Sequence, residues 1–376
     1  GLIMSGYFLG LLLGGLHAVR IIARAGHIRA FAAFASLMSI AALLHAMLVD
    51  PWAWGLMRLL AGFSMAGLIM ITESWINERA SNVNRGQVLA VYMTVNYAAA
   101  GCGQFLLPLA DPGEFVLFSV ASIVFSLALL PLLLTQAPSP QPVRRQRIPL
   151  SALYRISPLG LIGAFSAGLA GPAFHGLGAV FAQKLGLTLA QTSAFMASGI
   201  LGGLLLQWPL GRLSDRIDRR WVMSAAALGT ALASLAIVLV DGRMPALFAA
   251  AILFGSFCFT LYSLSASHTN DFAPEGQLVQ VAGGLLIAFG IGASIGPLLA
   301  GAMMDGLGPR GLFIHIGLVT TGLGLFSLYR MTQRGVRSKR RFVVKPSLQH
   351  SSDELYQAAL AEQPPQSASR RAPSTE

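Results

Sequence analysis

Charged residues are scarce in this sequence. Asp, Glu, Lys and Arg make up only 11% of the 376 residues, 55% are hydrophobic, and the mean hydropathy is +0.65. A soluble domain typically has about 25% charged residues, because its surface must stay hydrated. The composition therefore excludes a soluble globular protein and predicts an integral membrane protein.

Other absences exclude further classes of protein. The two cysteines, Cys102 and Cys258, lie inside apolar runs, so we expect neither a disulfide nor a metal site. His-Glu-x-x-His and the phosphate-binding loop are missing, and no cofactor or enzyme activity is expected. The net charge of +11 does not indicate a nucleic-acid partner, because no basic stretch is interleaved with stacking aromatics.

Long apolar runs are present instead. Runs of about 20 residues predict membrane-spanning helices. Five such runs precede a polar break and six follow it, at residues 2–22, 30–49, 52–77, 86–109 and 115–134, then 159–182, 190–210, 221–240, 245–269, 278–304 and 312–329.

The polar segments divide the chain into four regions. Residues 1–134 are predicted to form an N-terminal helical bundle, and residues 155–330 a C-terminal bundle. A Pro-rich and then Arg-rich linker, residues 135–154, separates them. The segment 331–376 is basic and then rich in Ser, Pro and Gln, with too few apolar residues to form a core, so we expect a disordered tail.

Lys and Arg predict the orientation in the membrane. If alternate loops are assigned to one side, 22 of the 26 basic residues fall on that side. The opposite side has only Lys184, Arg243 and Arg310, and Arg58 lies within a span. Cytoplasmic loops carry the excess of Lys and Arg, so this asymmetry predicts a cytoplasmic C-terminus.

The densest charged segment lies between two spans and has the pattern Gly-x-x-x-Asp-Arg-x-x-Arg-Arg. We call this hairpin the latch: Gly211, Asp215, Arg216, Arg219 and Arg220. The glycine is expected to allow close helix packing, and the Asp to lie at the positive end of the adjoining helix. The pattern resembles the loop between the second and third helices of each half in the major facilitator superfamily, with Asp218 in place of its second glycine.

Three further segments and an internal repeat support this resemblance. The segments Ser5–Phe8, Gly26–Phe31 and Glu73–Arg79 are similar to the YcaD-like bacterial branch of the superfamily. The resemblance implies an all-α membrane protein with two six-helix bundles related by pseudo-twofold symmetry, in the bacterial inner membrane. Residues 84–88 parallel residues 274–278, and matching five spans against six predicts that the first of twelve helices is missing from this chain.

One first-half span, residues 52–77, contains two charged residues. Placing Arg58 in the membrane costs about 2.5–3.5 kcal/mol, so we expect it to face the bundle interior or water; alternatively, it extends to the outer interface near Trp52. The segment Arg58–Gly62 is similar to an Arg-x-x-x-Gly pattern on the superfamily's fourth helix, and this resemblance implies a part in coupling. Glu73 is a candidate proton carrier, because burial raises a carboxyl pKa toward neutrality. Alternatively, Glu73 only binds the loop with Asn77 and Glu78.

Uncharged polar groups and glycines complete the candidates. Side chains that bind either solute or a neighbouring helix are Asn96, Gln104, His175, Gln207 and Tyr262. The group Gly292, Gly296 and Pro297 predicts close packing and a hinge on the penultimate helix. It also resembles a glycine-proline pattern that the superfamily's antiporters carry on another helix.

These features predict a monomeric secondary active transporter that moves a small solute by alternating access, coupled to protons. Duplicated halves that meet at the bilayer midplane are the architecture of such carriers. The alternative is a transporter-like sensor that binds solute without moving it.

Overall fold

The structure is a computed structural model, and it describes residues 1–79, 85–134, 148–240, 243–274 and 277–333. Most of the predicted linker and the tail beyond residue 333 lie outside this range. The helices are α1 Leu2–Ala25, α2 His27–Met47, α3 Pro51–Arg79, α4 Arg85–Gly103, α5 Val116–Leu133, α6 Leu150–Ile156, α7 Pro158–Lys184, α8 Leu189–Arg216, α9 Arg219–Leu239, α10 Met244–Cys258, α11 Leu261–Asn270, α12 Leu278–Leu307 and α13 Gly311–Gln333.

Ten stretches of the described residues are long and apolar enough to cross a membrane. They agree with ten of the eleven predicted spans, α10 and α11 together forming one of them. The remaining predicted span is divided into α4 and the 3-10 helix Gln104–Leu109, which contains Pro108. Proline cannot donate the backbone hydrogen bond that an α-helix needs, so the change of helix type there has a local cause.

Two predicted boundaries differ from the structure. The linker contains the short helix α6, whose Leu153 is fully buried. The tail was predicted to begin at residue 331, but α13 continues to Gln333. A seven-residue helix beside a Pro- and Arg-rich stretch has no periodic signal long enough to be recognised.

The two halves use the same order of helix contacts. In the first half α1 packs on α3 and α2 on α5, and in the second half α8 packs on α10 and α9 on α13. The halves are joined mainly by α1 with α12 and by α8 with α4 and the 3-10 helix Gln104–Leu109, and α1 makes a smaller contact with α7. The all-α membrane architecture predicted from the sequence is confirmed.

A glycine lies at the corresponding close helix crossing in each half. A Cβ on Gly62 of α3 would overlap the carbonyl oxygen of Tyr7 on α1, and a Cβ on Gly255 of α10 would overlap that of Gly199 on α8. Without a glycine these backbones could not approach so closely, and small residues at crossings drive helix association in lipid.

The second half has the larger buried core. Phe174, Phe181, Phe195, Phe254 and Phe313 are at most 1% exposed and form one aromatic cluster. The central helix of this half is α7. In its most apolar stretch of 18 residues 72% of the residues are buried, whereas the same share is at most 39% in the first-half spans. Among the described residues, the first half has no helix in the position of α7.

Candidate functional site

A cavity of about 450 Å³ lies between α1 and α3 of the first half and α12 of the second. Its walls are mostly apolar side chains, and Arg20, Glu73 and Gln280 supply polar lining. Sites for small molecules typically combine apolar walls with a few polar groups that orient the ligand. A second cavity, of about 290 Å³ beside α8, has no charged side chain in its lining. The first cavity is therefore the candidate site.

Glu73, which lines this cavity, lies near two tyrosines of other helices. It is close enough to Tyr92 of α4 and Tyr262 of α11 for electrostatic interaction. Tyr92 hydrogen-bonds with the Asn96 side chain. Tyr262 contacts the cavity-lining Phe289 edge-on, with ring centroids 5.2 Å apart. The structure thus places Glu73 and Tyr262, from opposite halves, within electrostatic range of each other, and Asn96 is linked to Glu73 only through Tyr92.

The two glutamine candidates lie elsewhere and differ in what they contact. Gln207 Nε2 donates to Ser263 Oγ at 3.1 Å and so joins α8 to α11. Its Oε1 is buried and has no hydrogen-bond partner within the described ranges. Gln104 Nε2 donates to the carbonyl of Ala100 at 3.3 Å, within its own segment. Gln207 therefore retains an unused acceptor, whereas Gln104 makes a local bond.

His175 lies on α7, and it contacts Gly171 and Phe259. Its Nδ1–H donates to the carbonyl of Gly171 at 3.0 Å. The imidazole also contacts the ring of Phe259, with centroids 5.0 Å apart, at the break between α10 and α11. The ring is thereby oriented by its own helix and by an aromatic neighbour.

Arg58 lies in a separate polar cluster. Its guanidinium is close enough to Tyr7 of α1 and His45 of α2 for electrostatic interaction. The Nε atom of Arg58 and the Nε2 atom of His45 are buried and have no hydrogen-bond partners in the described part of the chain. Arg58 thus faces neighbouring helices instead of extending toward Trp52, which is 86% exposed. The sequence analysis missed His45.

Gly292 and Gly296 lie where α12 crosses α7. A Cβ on Gly292 would overlap the carbonyl oxygen of Phe165, and one on Gly296 would lie 2.5 Å from that of Leu169. The helix α12 continues through Pro297 without a break. The backbone contact is therefore as close as glycine permits.

The same stretch, Gly292 to Gly296, has the pattern Gly-x-Ser-x-Gly, so an expectation that the sequence lacks this pattern would be wrong. In hydrolases this pattern places the serine on a sharp strand-to-helix turn. Here Ser294 lies inside α12, and its Oγ donates to the carbonyl of Gly290 at 2.9 Å. The serine therefore lacks the structural context of a nucleophile.

The latch begins the helix α9. Asp218 is the N-cap residue: its Oδ1 accepts from the backbone N–H of Arg220 at 3.0 Å. The Arg220 guanidinium pairs with the same carboxylate at 2.7 Å and donates to the carbonyl of Arg330 at 3.4 Å. Ser327 Oγ donates to the carbonyl of Arg220 at 3.0 Å. These bonds attach the start of α9 to the end of α13.

Arg219 connects the latch to two other helices. It pairs with Asp215 of α8 at 2.8 Å and with Asp271, just beyond α11, at 2.7 Å. Its Nη1 also donates to the buried Ser214 at 3.0 Å. One guanidinium thereby holds α8, α9 and the end of α11 together.

Two expectations for the latch were wrong. Asp215 does not lie at the N-terminus of α9; it belongs to the last turn of α8, and Asp218, whose extended backbone suits an N-cap, takes that position. No described atom lies within 4 Å of a Cβ built on Gly211, so this glycine does not permit close packing. Arg216 is exposed at the end of α8, where its charge suits the helix dipole.

Asp218→Ala is expected to lower the free energy of unfolding by about 3 kcal/mol, because the mostly buried Arg220 loses its carboxylate and α9 loses its cap. Asp218→Asn keeps a cap acceptor and should cost about 1 kcal/mol less. Asp215→Ala is the matched control; its side chain is 65% exposed, and the loss should stay below about 1 kcal/mol. Thermal unfolding in detergent measures all three, and equal losses for Asp218→Ala and Asp215→Ala would contradict the assignment.

The Asp218 carboxylate also gives a pH dependence. Burial alone raises its pKa, but the hydrogen bonds and charge of Arg220 outweigh burial, so the pKa lies below its ordinary value of 3.8. A lowered pKa adds stability above the unfolded value, and that stability is lost as pH falls through the folded value. The stability difference between the wild type and Asp218→Asn should therefore be constant near neutrality and shrink below 3.8.

Comparison with known proteins agrees with this geometry. The family model described as Major Facilitator Superfamily matches residues 1–205 and 156–361. Curated relatives from Salmonella newport (strain SL254) and Salmonella typhi, both called uncharacterized MFS-type transporter YcaD, are 29% identical over 324 residues. The matches cover 85% of this chain and 83% of each relative.

Solved structures share the fold at low sequence identity. The nucleoside transporter NupG superimposes with a TM-score of 0.73 at 13% identity, over 89% of this chain and 91% of that one. The E. coli fucose:proton symporter FucP gives a TM-score of 0.57 at 16% identity, over 88% and 90%. Both similarities concern the arrangement of helices.

Proposed function

Because the chain belongs to the Major Facilitator Superfamily, we propose that it is a secondary active transporter that carries a small solute by alternating access, coupled to protons. The observation that carries the proposal is the cavity between α1, α3 and α12, with Glu73 in its lining. A carboxyl group at the junction of two bundles can bind a proton and a solute in turn.

The contacts between the halves support alternating access. The major contacts between the half-bundles within the described ranges are those of α1 with α12 and those of α8 with both α4 and the 3-10 helix Gln104–Leu109, and the cavity opens beside α1 and α12. If the halves rock about these pairs, the cavity is exposed to each side in turn. We propose residues 1–134 and 155–330 as the two rocking units, joined by the linker 135–154 and followed by the tail 331–376.

The remaining site residues are assigned on the same basis. Glu73 would bind the proton in the cavity lining, Tyr262 and Asn96 would bind solute from beside the cavity, and Gln207 would contribute its unused acceptor. Arg58 would take part in coupling through its electrostatic interactions with Tyr7 and His45. His175 and Gln104 bond to carbonyls of their own helical segments, and we assign them no contact with the solute.

Flux measurements in proteoliposomes test the proposal. Nucleosides and fucose, the solutes named for the two structural neighbours, are the first probes, followed by a broader solute panel. We expect uptake of at least one solute that rises with an imposed pH gradient and collapses when a protonophore removes it. A solute that stabilises the protein thermally but shows no flux under any gradient would favour the sensor instead.

The proposed orientation makes a labelling prediction. In a variant with Cys102→Ser and Cys258→Ala, single cysteines placed at the exposed Lys184 or Arg310 should react with an impermeant maleimide on intact bacterial cells. A cysteine at Arg24 should react only after the membrane is permeabilised. The prediction follows from the excess of Lys and Arg on the latch side. The reverse pattern would invert the topology and place the latch outside.

A further inference from the structure

The arginines of the hairpin fall into two groups with different environments. Arg219 and Arg220 face inward, and their side chains pair with Asp215, Asp218 and Asp271. Arg212 and Arg216 are exposed and form no ion pair with any acidic residue of the described chain. The folded protein therefore presents two neighbouring cations that no carboxylate of the described residues neutralises.

These two arginines share a helix face with an exposed aromatic residue. The Arg212 guanidinium lies 3.9 Å from the centroid of the Trp208 ring, a cation–π contact. Trp208, Arg212 and Arg216 follow each other at intervals of four residues on α8, so they form one stripe. Stacking on the indole restrains Arg212 while leaving its outer N–H groups free to bond.

The polarity of the stripe changes in one direction along the helix. Leu205 is 60% exposed, Trp208 is 63% exposed, and the two arginines follow toward the end of α8. Apolar side chain, interfacial indole and cation come in the order in which a lipid presents acyl chain, glycerol region and phosphate. A free phosphate ion would need the arginines but would gain nothing from the other two side chains.

We propose that Trp208, Arg212 and Arg216 form a binding site for one anionic phospholipid of the leaflet that the latch faces. The lipid phosphate lies between the two guanidinium groups, and Leu205 contacts the acyl chain. Arginine donates paired hydrogen bonds to phosphate, and each basic residue near an anionic membrane surface adds to the attraction. The site adjoins the hairpin that holds α8, α9 and α11, so the bound lipid would stabilise that junction.

Lipid binding by the full chain tests the site. The purified protein in a neutral detergent is titrated with dioleoylphosphatidylglycerol, and bound lipid is counted by native mass spectrometry. The double variant Arg212→Gln and Arg216→Gln should weaken binding of the first lipid by about tenfold or more. The control variant, Arg24→Gln with Arg29→Gln, removes two exposed arginines from the same predicted side and should change binding less than about twofold.

Further arms separate the alternatives. Trp208→Leu should weaken binding to an intermediate degree, since it removes the stacking surface but no charge. Dioleoylphosphatidylcholine should bind equally weakly to the wild type and the double variant, and inorganic phosphate should not compete. Equal loss in the Arg24 and Arg29 control would mean unspecific attraction and overturn the site. Effective competition by inorganic phosphate would also overturn it, because the lipid would then not be the recognised ligand.

Discussion

Glu73→Gln should reduce transport driven by a pH gradient by about tenfold or more, a size typical of the coupling between two ligands of one protein. Glutamine has nearly the same shape and keeps hydrogen bonds to neighbours such as Tyr92 and Tyr262 possible, but it cannot bind and release a proton. Exchange of labelled for unlabelled solute needs no net proton movement, so it should continue. The measurement is paired uptake and counterflow in proteoliposomes.

Glu114→Gln is the matched control for this prediction. It makes the same chemical change at an exposed residue in the turn before α5, remote in sequence from the cavity lining. Both transport modes should stay at wild-type levels in that variant. If gradient-driven transport in Glu73→Gln also remained unchanged, Glu73 would have no part in coupling. Loss of exchange as well as gradient-driven uptake would assign Glu73 to solute binding instead.

The helices could be predicted from the sequence because lipid imposes a length on each apolar run. The segment 159–182, for example, is α7 within two residues at each end. The break between α10 and α11 could not be predicted, since residues 245–269 form one continuous apolar run. There the hydroxyl of Thr260 donates to the carbonyl of Phe257 at 2.7 Å. Such side-chain bonds satisfy backbone groups freed by the break, and they depend on local geometry.

The candidate site was less predictable because its members come from distant parts of the chain. Charge alone singles out Glu73 in an apolar run, but nothing in the sequence indicates that Tyr92 and Tyr262 lie beside it. Asp218 shows that a departure from a family pattern can have a structural role of its own. It looked like a departure from the family loop, yet its backbone conformation and its bond to Arg220 make it the cap of α9. A pattern predicts residue types, and the three-dimensional contacts decide their roles.

Gly62→Ala is expected to destabilise the first half by about 3 kcal/mol, at the upper end of overpacking effects. The added methyl group would overlap the Tyr7 carbonyl oxygen and lie 2.9 Å from the backbone nitrogen of Leu11. Both obstacles belong to the backbone of α1, so no side-chain rotation relieves them and the two helices must separate. A lower unfolding temperature in detergent and a smaller monodisperse fraction on size exclusion would measure the effect.

Gly55→Ala on the same helix is the matched control. No described atom lies within 4 Å of its added Cβ, so stability should rise or fall by less than about 1 kcal/mol. Gly255→Ala tests the equivalent crossing in the second half, where the overlap is with the backbone of Gly199, and a similar loss is expected. If Gly62→Ala were as stable as Gly55→Ala, α1 and α3 would not cross at that distance. Comparable losses at Gly62 and Gly255, with none at Gly55, would show that both halves depend on a glycine at the same helix pair.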